Sequence, residues 1–166
     1  MAPRLDLLPL AGFAGLMIGA AIVDLRRRII PNAIAMAACL LWPLDLAITR
    51  ATALTTAFES AAGAGLVLAA GAVLFARGAL GGGDVKLLAA ASLWSGAAAL
   101  PALLLLTALL GGVVALAALI PLVLARSEGG QSSESPHSGA ALATPIPYGV
   151  AIAGAALIVT ISLHFG

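Results

Sequence analysis

The chain is 166 residues long and carries eight basic and seven acidic side chains, 9% of its length, while 62% of its residues are apolar. A soluble domain is about 25% charged, and no soluble fold of this size covers its surface with so few charges. These numbers exclude an ordinary soluble enzyme and a disordered chain. A formal net charge of +1 offers no basic face for nucleic acid, so an integral membrane protein in a lipid bilayer is what remains.

A spanning helix needs about 20 apolar residues to cross a hydrocarbon core of about 30 Å. The first such run is Leu7 to Val23, ended by Asp24 and Arg26-Arg27-Arg28. Its arginines follow the apolar stretch, the reverse of a secretory signal, so it is read as a retained helix. Ile29 to Leu44 is the second run, extending to Ile48 if Asp45 is tolerated, and Ala61 to Ala76 is the third. Leu87 to Ala125 holds no charge and would measure about 60 Å as one helix, twice the core. It is expected to form two spans, with the turn between Trp94-Ser95-Gly96 and Pro101. Leu142 to Phe165 is the last run. The expected fold is all-α, a single transmembrane unit over residues 1–166 with about six transmembrane helices.

With the N-terminus outside, Arg26, Arg27, Arg28, Arg77, Lys86 and Arg126 fall on the cytoplasmic side, and Arg4 and Arg50 outside. Both termini then face outward, and Trp42, Phe58, Trp94 and Phe165 lie near the outer interface. Residues 126–141, rich in Ser and Gly, read as a flexible cytoplasmic loop in which His137 is solvated. Gly15-x-x-x-Gly19 and Ala61-x-x-x-Gly65 suit close helix packing. Cys39 is the single cysteine and reads as a small buried hydrophobe, so no disulfide and no Cys-x-x-Cys metal site is expected.

Carboxylates at spans are costly and require an account. Asp6, Glu128 and Glu134 are solvated by position, and Asp45 and Glu59 flank an outer loop that carries Arg50. Asp24 ends the first span just before three arginines, and Pro31, at the start of the next helix, closes a tight hairpin that holds it at the membrane boundary. Neutralisation by those arginines is one account of it. Asp84 follows three glycines at the start of the fourth span, where a helix cap is one account of it. Topology puts both aspartates at similar depth on one face. Two carboxylates that meet there suit amide hydrolysis. The ionised one takes a proton from water and the protonated one donates to the carbonyl oxygen or the leaving nitrogen, the pair sharing a proton.

Gly81-x-Gly83-Asp84 is the motif of the GxGD intramembrane aspartyl proteases. Together with Asp24 before Ile30-Pro31-Asn32, and Pro145-x-Pro147-Tyr148-Gly149-x-Ala151, it resembles the type IV prepilin peptidases. The resemblance implies a polytopic enzyme that removes a basic leader from prepilins at the cytoplasmic face of the bacterial inner membrane, with no cofactor and no metal. It implies that Asp24 and Asp84 are catalytic and that Gly81 and Gly83 shape the active-site loop. Pro31, Asn32, Lys86, Pro147, Tyr148 and Gly149 would lie near the site in substrate-binding or structural roles, with Lys86 anchoring its helix at the headgroups. Larger members add a cytoplasmic Cys-x-x-Cys domain and methylate the new N-terminus. This chain looks like the short, peptidase-only form of tight-adherence (Flp-type) pilus systems. The presenilin branch fits less well, because Val23, not Tyr, precedes Asp24. A rival from another class is a non-enzymatic transport or assembly subunit that uses the aspartates as a proton relay or as packing partners.

Overall fold

The computed structural model describes residues 7–49, 54–128 and 147–165, which are helical with short connections. Five helices follow in order: α1 Leu7–Arg27, α2 Asn32–Thr49, α3 Leu54–Ala76, α4 Gly82–Glu128 and α5 Tyr148–Phe165. The all-α membrane fold is as expected, but the span count is not six. Among the described residues, four helices are long and apolar enough to cross a membrane, while Asn32–Ile48 is shorter. The expected fourth and fifth spans are the two halves of α4, which follow one another across a break with no intervening loop.

That break is at Gly96, whose φ of 72° and ψ of 167° interrupt α4. Leu80 and Gly112 lie 16 residues before and after it, about 48 Å apart on a straight helix at 1.5 Å per residue. Both line the same cavity, as do Leu88 and Leu104, so the chain folds back on itself at Gly96. Glycine is the residue that tolerates this conformation.

Around that hairpin, α1 packs on α2 and α5, while α4 packs on α2, α3 and α5. The four helices α1, α2, α4 and α5 thus close a ring. α3 lies outside it, touching α4 alone among the described helices. The core is built from Phe13, Met17, Ala38, Leu87, Ala91 and Trp94, closed by the alanines of α5. Small α5 side chains let neighbouring backbones approach, which is how helices gain contact where lipid removes the hydrophobic drive between them. Leu8, Leu40, Leu66, Leu105, Leu116 and Ile158 face outward. A soluble protein does not expose apolar surface of this extent.

Burial refines one local expectation, for Trp94, and corrects two others. Trp94 is buried, stacked on Phe13 with ring centroids 4.4 Å apart, and its Nε1–H donates to the Ala38 carbonyl at 2.9 Å. It is a core clamp joining α1, α2 and α4, because a buried indole needs a hydrogen-bond partner and finds one there. Cys39 is exposed, since Ala35 and Ala38 take the inward face of α2. Gly15, Gly19 and Gly65 have no neighbour within 4 Å of a would-be Cβ, so those spacings do not mediate packing here. Arg126 to Glu128 belong to α4, while the rest of the expected loop, with His137 and Pro145, lies outside the described residues, as do Arg4, Asp6 and Arg50.

Candidate active site

Asp24 lies in the last turn of α1 and is 4% exposed. Arg28, four residues on, takes the left-handed conformation at φ 53° and donates its N–H to the Asp24 carbonyl at 2.8 Å. This is the bond that ends a helix on a left-handed residue, here a residue other than glycine. It turns the chain so that Ile29 and Ile30 enter the cavity beside Asp24. Pro31 then accepts the Ile34 N–H at 3.1 Å and starts α2.

Asp84 is half-buried in the first turn of α4. The Val85 N–H donates to the Gly81 carbonyl at 3.1 Å, which makes Gly81 the cap residue. The Asp84 carboxylate reaches back toward the Gly81 N–H, as the third helical residue does in a capping box. A Cβ on Gly81 would stand 2.6 Å from Asp84 Oδ2, and one on Gly83 would stand 3.1 Å from the Ile30 carbonyl oxygen. Glycine thus leaves room at the first position for the carboxylate and at the second for the α1–α2 connection. That the glycines serve close approach between two loops is what the sequence could not specify.

These two loops enclose one cavity of about 190 Å³, lined by Asp24, Arg28, Ile29 and Ile30 from one side and by Gly81 to Asp84 from the other. A water needs about 10–15 Å³ of such space, so there is room for solvent beside both carboxylates. The aspartates are close enough for their charges to interact, and Arg28 also acts on Asp24.

The start of α5 completes the site from a third direction. The Gly149 and Val150 N–H groups are directed at the Asp24 carboxylate, and Oδ2 itself has no partner at hydrogen-bond distance among the described residues. A Cβ on Gly149 would come within 2.8 Å of Asp24 Oδ2 and 2.5 Å of Ile30 Cδ1. Asp24 thus faces the N-terminal end of α5, a position that favours an anion. Pro147 and Tyr148 differ in what they touch. Pro147 accepts the Val150 N–H at 3.3 Å and starts the helix. Tyr148 turns away from the aspartates to pack on Gly111.

Lys86 lies two residues after Asp84 and is exposed. Its ammonium donates to Asn32 Oδ1 at 2.9 Å, tying the start of α4 to the start of α2. The partners are 54 residues apart, and no local pattern announces them.

A second polar cavity, of about 240 Å³, lies between the far ends of the helices and is lined by Asp45, Ser60, Ser95, Gly96 and His164 among others. The charges of Asp45 and His164 face each other there. It contains one carboxylate and no glycine loop. Among the described residues, no group of three or more His, Cys, Asp or Glu side chains is placed to hold a metal ion.

The type IV leader peptidase family matches residues 11–116, which include Asp24, Pro31, Asn32, Gly81, Gly83, Asp84 and Lys86. The chain belongs to the type IV leader peptidase family. It is accordingly a membrane-embedded peptidase. Comparison with curated proteins and with solved structures finds no match. The matched stretch ends before Pro147, Tyr148 and Gly149, so the contact of α5 with Asp24 rests on geometry alone.

Proposed function

We propose that this leader peptidase is an aspartic endopeptidase that cuts the basic leader from prepilins at the cytoplasmic face of the inner membrane, with Asp24 and Asp84 as its catalytic pair. The observation that carries the reading is the shared cavity, in which two carboxylates from different helices face a space that admits water. One carboxylate, ionised, accepts a proton from the attacking water. The other, protonated, donates to the carbonyl oxygen. The proton taken from water then passes to the leaving nitrogen, and the tetrahedral hydroxyl returns its proton to the second carboxylate as the C–N bond breaks. The amide bond breaks, the new carboxylate keeps the water oxygen, and the new amine leaves with the apolar helix.

Charge supports the substrate assignment. The site is acidic, a leader rich in lysine or arginine is its complement, and a substrate helix in the bilayer brings the leader junction to the ends of α1 and α4. Arg26 to Arg28, Arg77 and Lys86 lie around that end of the bundle and match a cytoplasmic side. The short α1–α2 connection, residues 28–31, holds no Cys-x-x-Cys pair and fits the Flp-type form, and the reaction calls for no cofactor.

The test is leader removal from a Flp-type prepilin by purified protein, followed by mass. Asp24→Asn and Asp84→Asn are each expected to lower kcat by about 10²–10⁴-fold, the usual contribution of a positioned acid or base. Wild-type rates in both variants would refute the aspartic mechanism.

A further inference from the structure

α2 and α3 both pack on α4 but make no contact with each other. The gap between them is an apolar groove of about 300 Å³. Ala35, Met36 and Leu40 form one wall, Leu68 the other, and Ala89 of α4 lines it between them. Met36, Leu40 and Leu68 are 62%, 76% and 45% exposed. Asn32 and Lys86, held together by their hydrogen bond, stand at the end where α2 and α4 begin.

Along two chain segments the lining of the groove follows that of the catalytic cavity within two residues. The segment Ile29 to Asn32 places two residues in the cavity and the last in the groove. The segment Gly82 to Lys86 does the same, with Asp84 in the cavity and Lys86 in the groove. We propose that this groove is the docking track for the apolar helix of the substrate, so that a helix lying between α2 and α3 delivers its junction to Asp24 and Asp84. This assignment rests on the peptidase reading and adds to it where the substrate lies. Small side chains at Ala35 and Ala89 allow the backbone of a helix to come close. The α4–α5 cavity beside Tyr148 is the alternative track.

Cys39 supplies the probe, because it lines the groove, is exposed and is the only cysteine in the chain. It stands seven residues into α2, about 10 Å along a helix from Asn32. In the Asp84→Asn protein, which retains uncut substrate, single cysteines are scanned through a Flp-type prepilin and disulfides are formed by oxidation. Cross-links to Cys39 are expected about seven residues past the junction, recurring every three to four residues. A second readout uses the active enzyme. Leu68→Trp narrows the groove and is expected to raise KM tenfold or more, with processing recovered at high prepilin concentration.

Absence of cross-links to Cys39, or cross-links formed instead by Leu104→Cys in a Cys39→Ser background, would overturn the groove assignment. So would an unchanged KM in Leu68→Trp. If wild-type protein cuts the prepilin while these results fail, only the groove is lost. If wild-type protein leaves the prepilin intact, the peptidase reading itself is lost.

Discussion

At the residue scale, the site depends on atoms that are missing. Gly149 has room for no side chain, because a Cβ would stand 2.8 Å from Asp24 Oδ2. Gly149→Ala must therefore push the carboxylate or the start of α5 aside. Displacements of about 1 Å at a reacting group can cost about 10²-fold in rate, so a loss of that order in kcat is expected while the protein still folds. Gly15→Ala is the matched control, since nothing lies within 4 Å of its Cβ, and it should process prepilin at the wild-type rate. Steady-state leader removal compares the two. Equal rates in both variants would show that the start of α5 does not position Asp24. Asp24 and Asp84 were legible in the sequence because charge is so scarce that each carboxylate demands a reason. The closeness of Gly149 to Asp24 was not, because it joins residues 125 positions apart and depends on how α1 and α5 cross.

At the element scale, α1 begins where its apolar run does, and the α4 break fell at the expected Trp94-Ser95-Gly96. Glycine in an unbroken apolar run twice the bilayer thickness is a readable signal. What could not be read is which side of each helix faces inward. Nearly every position in these helices is apolar, so there is no polar face to mark the outside. Cys39 was misplaced for that reason, being exposed. Hydrophobicity also gave six spans, because it counts runs and does not see that α2 is short. The break itself is testable. Gly96→Ala forces a side chain into a backbone region reserved for glycine, at a cost of about 1–3 kcal/mol. Thermal unfolding in detergent should show a lower midpoint, and processing should fall as the two halves of α4 lose register. A midpoint equal to wild type would mean that the turn tolerates a Cβ.

At the scale of the whole molecule, a ring of α1, α2, α4 and α5 holds the aspartates, and α3 stands apart on α4. The site lies at the end of this ring where α1 stops and α4 starts. The basic residues at that end predict its side of the membrane. With Cys39 replaced by serine, a cysteine at Arg77 should react with an impermeant maleimide in inverted inner-membrane vesicles and stay unreacted in right-side-out ones. The opposite pattern would reverse the topology and move the cut to the outer face.

The central claim is that Asp24 and Asp84 act as one unit on one water. Groups that act together are not additive when removed. The direct measurement is a double-mutant cycle in the prepilin cleavage assay with Asp24→Asn, Asp84→Asn and the combined variant. Each single change is expected to lower kcat by about 10²–10⁴-fold, and the double variant to fall little further. If the two losses multiply, the carboxylates work independently and the shared-water mechanism is wrong.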